Sequence, residues 1–212
     1  MFFRKIFLQL KSIRLMAFVP IVAADLLLPL IAVASYQSER LDFYETVMKY
    51  GMMLIPVSSI IWSLFSLKEC IEGKGNELLF VGKNRLKLLD CFVMFALFYA
   101  TVVPQFIVYS LIDAVFLTQI IRIFAICFFF FGVAYFLVFL TKSISLTLMC
   151  LIIYAISNML ISSRSKLAFM LYFDIQPYGR DAFFSQSLPL IVLSVMLLFI
   201  GAVLNRKYCK FN

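Results

Sequence analysis

The chain has 212 residues, 64% of them hydrophobic and 14% charged, with a mean hydropathy of +1.03, more apolar side chain than a water-soluble domain of this length can bury. It contains no histidine, so the commonest metal ligand and neutral-pH general base is missing, which argues against a zinc centre or a Ser-His type hydrolase. The net charge of +8 is interleaved with apolar segments, a pattern that marks the cytoplasmic side of a membrane protein and not a nucleic-acid surface.

At the start of the chain Phe3, Ile6, Phe7, Leu10 and Ile13 recur at three- and four-residue spacing, while Arg4, Lys5, Lys11 and Ser12 take the other face. This predicts an interfacial helix over residues 1–14, lying on the inner leaflet. A hydrocarbon core about 30 Å thick needs about 20 apolar residues of helix, and six windows of that order follow: residues 15–35, 50–67, 91–112, 120–140, 145–161 and 189–204. The whole of residues 1–212 is therefore expected to be one all-α transmembrane domain. Ala32, Val33 and Ala34 before Ser35 resemble a secretory cleavage site. The apolar run before them is longer than a signal core and carries Asp25, so a retained span is expected.

Asp25 sits about ten residues into the first window, between Pro20 and Pro29. An ionisable group at that depth marks a functional site by default; the other reading is a protonated or hydrogen-bonded Asp that joins helices. Residues 68–90 form the one sizeable cytoplasmic loop. Within it Gly73 and Gly75 allow a sharp turn, Asn76 suits a helix cap, and Glu77 suits the positive end of the helix dipole. Leu78, Leu79, Phe80 and Val81 then make a turn or two too apolar for open solvent, and Gly82 ends them. A short apolar helix flanked by charge fits another protein's groove or rests on lipid headgroups.

Gln105, beside Pro104 in the third window, and Asn158 in the fifth are expected to be interhelical hydrogen-bond donors. Arg122, near the outer end of the fourth, is expected to snorkel to the interface. For Phe128, Phe129, Phe130 and Phe131 lipid is the commonest neighbour, ahead of a partner subunit or an apolar cargo. Cys70, Cys91, Cys127, Cys150 and Cys209 show no CxxC spacing and read as reduced, small apolar residues.

Orientation follows from Lys and Arg, which resist translocation. An N-inside arrangement puts thirteen of the 19 inside: Arg4, Lys5, Lys11, Arg14, Lys68, Lys74, Lys83, Arg85, Lys87, Lys142, Arg206, Lys207 and Lys210. A multi-pass cell-membrane protein with both termini in the cytoplasm is expected.

With the glycine at 73 in register, residues 71–85 resemble the loop of the type 2 ABC transporter permeases, whose pattern is near E-x-G-T-x-E-x-L-L-x-x-P-x-S-R. Gly73, Leu78, Leu79 and Arg85 match it without a gap. Ile71, Lys74, Asn76, Gly82 and Asn84 depart from it, with Glu72 and Glu77 each supplying an acid one residue later. The layout is similar too: six spans, an N-terminal interfacial helix and an external segment at 162–188. In that segment the apolar run 167–173 is too short to span and is broken by Pro177 and Gly179.

The resemblance implies that the loop holds a coupling helix seated in a cytoplasmic ABC ATPase, with Gly73, Asn76, Glu77, Leu78, Leu79, Phe80 and Arg85 at the contact. It also implies short re-entrant helices at 162–188. The chain has no phosphate loop of its own: Gly82 and Lys83 are followed by Asn84, and Glu77 stands where the first glycine belongs. No cofactor or metal is expected on this chain, ATP and magnesium belonging to the partner ATPase. Lipid and a second membrane subunit, identical or homologous, are the other expected partners. The expected function is that of an exporter's permease subunit, not an enzyme, with a hydrophobic or amphipathic peptide as cargo. The rival is an accessory, immunity or assembly membrane protein without its own transport path. An intramembrane enzyme would need paired catalytic groups, and Asp25 has no second carboxylate or histidine partner in the sequence pattern.

Overall fold

The computed structural model describes residues 18–38, 43–71, 87–161 and 187–211, which are helical almost throughout. α1 (Phe18–Ile21) runs into a π-helical segment (Val22–Leu27) and on into α2 (Leu28–Ser38), the three making one first span. After it come α3 (Phe43–Ser66), the short α4 (Lys68–Ile71), α5 (Lys87–Ser110), α6 (Val115–Thr141), α7 (Ile144–Ile161) and α8 (Leu188–Phe211). The expected interfacial helix at 1–14, residues 72–86 of the expected cytoplasmic loop and residues 162–186 of the expected external segment lie outside the described residues.

Among the described residues, five helices are long and apolar enough to cross a membrane: the first span, α3, α5, α6 and α8. The expected fifth window is also a helix, but α7 has only 18 residues, about 27 Å at 1.5 Å per residue, and its apolar stretch Ile144–Asn158 is shorter than the others. α3 starts seven residues before its expected window, at Phe43 in place of position 50. The charges at Glu45 and Lys49 hide that turn from a hydropathy average, yet both are exposed on the helix surface and cost the fold nothing there.

Side-chain pairs fix the helix directions. Phe43 meets Tyr36 at one end of α3 and Gly51 meets Leu28 further along, so the first span and α3 are antiparallel. Phe43 also meets Tyr109, Trp62 meets Phe98, and Ser63 Oγ donates to the Cys91 carbonyl at 3.2 Å, which makes α3 and α5 antiparallel. Phe106 with Phe116 and Phe95 with Phe131 set α5 antiparallel to α6. Tyr154 against Phe129 and Thr141 against Thr147 set α7 antiparallel to α6. α8 runs parallel to α6, because Ser194 meets Gly132 and Gly201 meets Tyr135.

α3 and α6 are the central pair and the most buried of the long helices. Between apolar helices in lipid there is no hydrophobic drive to associate, so close packing and hydrogen bonds must hold them. Here the packing is largely aromatic. Phe129, Phe130 and Phe131 are buried and Phe128 half-buried, so the phenylalanine run points into the core and not chiefly to lipid. Phe95 stacks on Phe131 with centroids 5.1 Å apart, Phe124 lies parallel to Phe128 at 5.8 Å, and Tyr135 meets Phe139 edge-on at 4.9 Å. Each such pair adds about 0.5–1.5 kcal/mol beyond its buried area.

α6 and α8 approach still more closely. A Cβ built on Gly132 would stand 2.5 Å from Ser194 Oγ and 2.9 Å from its Cα, and one on Gly201 would stand 2.8 Å from the Tyr135 ring. Ser194 Oγ donates to the Phe128 carbonyl at 2.6 Å, a bond that only this proximity permits. The link from α6 to α7 is equally tight: Lys142 takes a left-handed conformation with φ of 56° and its N–H bonds the Val138 carbonyl at 3.0 Å, closing α6. Cys91 and Cys127 are buried thiols and Cys150 an exposed one.

Candidate functional site: an intramembrane polar cluster

The first span is not a uniform α-helix. Pro29 offers no N–H to the carbonyl of Asp25 four residues earlier, and its ring crowds that carbonyl. Pro20, which likewise has no N–H, stands two residues before the helix widens. Between the two prolines the backbone winds as a π-helix from Val22 to Leu27, the kind of local widening that recurs at functional sites and re-aims the side chains it carries. Asp25 is one of those side chains.

Asp25 is half-buried and faces α5. Gln105 Nε2 donates a hydrogen bond to Asp25 Oδ1. Thr101, one helical turn before Gln105, places its Oγ1 3.4 Å from the same oxygen and donates at 2.8 Å to the Phe98 carbonyl. A hydroxyl has a single proton, and the shorter bond takes it. The Gln105 carbonyl oxygen Oε1 is buried and has no partner among the described residues. The expectation that Gln105 bonds across helices thus holds, with Asp25 as its acceptor.

Asn158 behaves otherwise. Its Nδ2 donates at 2.8 Å to the Tyr154 carbonyl of its own helix, and its buried Oδ1 has no partner among the described residues. Among the described residues it ties α7 to itself and not to a neighbour, because a side chain this short readily reaches the i−4 carbonyl of its own helix. Arg122 is 3% exposed and lies inside the bundle; it does not snorkel, since it falls on the buried face of α6 with Gln119, which is fully buried. Gln119 is a polar residue that sequence reasoning passed over; its spacing of three from Arg122 on an otherwise apolar helix was the available signal.

The residues expected at an ATPase contact, Gly73, Asn76, Glu77, Leu78, Leu79, Phe80 and Arg85, lie outside the described residues. Their flanks are described. α3 ends at Ser66, where Ser66 and Ser63 engage Cys91 of α5, and α4 carries Lys68 over the Phe65 ring at 5.6 Å. The described residues on either side of 72–86 therefore stand at the same end of two adjacent antiparallel helices. Lys68, Lys87 and Lys142 all stand at that end of the bundle, as do the last turns of α8 with Arg206, Lys207 and Lys210. The opposite end has Glu45, Lys49 and Asp113, the last accepting the Val115 N–H at 3.0 Å to start α6.

No group of three or more His, Cys, Asp or Glu side chains that would hold a metal ion occurs among the described residues. No family model matches the chain, and neither a curated protein nor a solved structure is significantly similar to it.

Proposed function

We propose that this protein is the membrane-spanning subunit of an ATP-driven exporter of the type 2 ABC class, working as a dimer with separate cytoplasmic ATPases. The supporting observation is the position of the loop that resembles the family's coupling helix. It joins α3 to α5 at the end of the bundle where Lys68, Lys87 and Lys142 gather, the side that the positive-inside rule assigns to the cytoplasm. In this reading α7 is a sixth, shorter crossing, which lets α6 and α8 run parallel, and both termini face the cytoplasm. Leu78, Leu79 and Phe80 enter a cleft of the ATPase, and Glu77 and Arg85 flank them. The cargo is a hydrophobic or amphipathic peptide, consistent with a core of aromatic rings that offers little lining for an aqueous path.

The test is to place cysteine at Leu78 or Phe80 and crosslink in native membranes. The reading expects an adduct whose second component carries nucleotide-binding motifs; an adduct only with lipid-facing neighbours, or none, counts against it. A second reading is favoured by the same aromatic core: a densely packed accessory or immunity protein with no path of its own. It expects the purified complex to contain no ATPase.

A further inference from the structure

A lone carboxylate at membrane depth is among the costliest groups a helix can carry, and it persists only when paired, hydrated or neutralised. Among the described residues Asp25 has no cation partner. Among the described residues its polar neighbours are the Gln105 amide and the Thr101 hydroxyl. The elements packed against its segment are α3 and α5. On α3 the titratable groups are Tyr44, Glu45, Lys49 and Tyr50, and Glu45 and Lys49 lie towards the end where Phe43 meets Tyr36. On α5, Lys87, Asp90 and Cys91 belong to the opposite end, Tyr99 gives its proton to the Ile120 carbonyl at 2.6 Å, and Tyr109 is enclosed by Phe43, Phe106 and Phe116. Among the described residues none of these makes a bond to Asp25.

The amide beside it is half satisfied. Gln105 Nε2 gives a proton to Asp25 Oδ1, while Gln105 Oε1, buried, receives none among the described residues. A side-chain amide has donor and acceptor on the same edge, and so does a carboxylic acid, whereas a carboxylate has acceptors only. The unfilled acceptor on Gln105 and the uncompensated charge on Asp25 are removed together by one proton.

We propose that Asp25 is a proton-binding site: its acid form closes a two-point hydrogen-bonded ring with the Gln105 amide, N–H to Oδ1 and O–H to Oε1, latching the first span to α5. Loss of that proton to solvent breaks one of the two bonds and leaves a negative charge between the helices, so the π-helical segment loosens from α5. This site does not depend on the transport reading, and its test needs no ATPase.

A hydrophobic carbodiimide reports the acid form directly. The acid O–H adds across one C=N bond, oxygen bonding to the central carbon and the proton passing to nitrogen, and the adduct rearranges to a stable acylurea. With the full-length protein in detergent at neutral pH, peptide mass analysis is expected to find the adduct at Asp25, lost in Asp25→Asn and increased in Gln105→Ala, where the acid is no longer tied up. Hydrogen exchange across residues 22–30 supplies a second readout. Protection relative to the intrinsic, base-catalysed exchange rate is expected to fall with pH in the wild type and to stay constant in Asp25→Asn, whose amide forms the same ring with no proton to lose. Absence of label at Asp25 in both wild type and Gln105→Ala, or an equal pH response in Asp25→Asn, would overturn the proposal.

Discussion

Glycine and serine, not leucine, set how closely α6 and α8 approach. Adding one methyl at Gly132 drives a Cβ to within 2.5 Å of Ser194 Oγ, with Ser194 backbone behind it, so the helices must separate. Overpacking of this kind costs about 1–3 kcal/mol. Gly132→Ala should therefore lower the denaturation midpoint of the purified protein, and Ser194→Ala should lower it less, through loss of the bond to the Phe128 carbonyl alone; equal midpoints for Gly132→Ala and wild type would refute this packing. Tyr99→Phe removes the 2.6 Å bond to the Ile120 carbonyl, a loss of about 0.5–1.5 kcal/mol. At this scale the sequence shows which residues are polar but not which way they face. Gln105 and Asn158 look alike as amides in apolar helices, yet one bonds across helices and the other back to its own turn. The inward facing of Arg122 and of Phe129, Phe130 and Phe131 is not legible, because single positions in an all-apolar helix carry no amphipathic contrast; only the neighbours decide, and they bury them.

Elements were more legible than residues. Every expected window contains a helix, because about 20 apolar residues in lipid have to satisfy their own backbone bonds. Their ends were less legible, since charged turns such as Glu45 to Lys49 and the basic end of α8 continue a helix beyond its apolar stretch. The π-helical segment was invisible except as two prolines around an acid. If Pro29 maintains it, Pro29→Ala should let Val22–Leu27 relax towards regular α-helix. Hydrogen exchange at those amides should then slow; unchanged exchange would show that the widening has another cause. The α6 to α7 turn offers a converse case. Lys142 adopts φ of 56°, a conformation that costs a residue with a Cβ about 1 kcal/mol, so Lys142→Gly should raise the denaturation midpoint, and a lowered one would contradict the strain argued for that turn.

The molecule as a whole is a two-ended object. Lys68, Lys87 and Lys142 stand at one end, Glu45 and Asp113 at the other, and single cysteines introduced at Lys142 and Asp113 should be labelled from opposite sides of the membrane by an impermeant reagent. Labelling from one side would remove the basis for placing residues 72–86 in the cytoplasm. The loop at 68–90 is the most informative stretch of the sequence, and its resemblance to the type 2 ABC permeases is the basis of the job proposed for the bundle.

That job is tested most directly by ATP turnover. The complex purified from native membranes through this chain should contain an ABC ATPase and hydrolyse ATP, and Leu78→Asp with Leu79→Asp should uncouple or release that ATPase while the membrane bundle stays folded. Purification without an ATPase, or turnover unchanged by the two substitutions, would contradict the account.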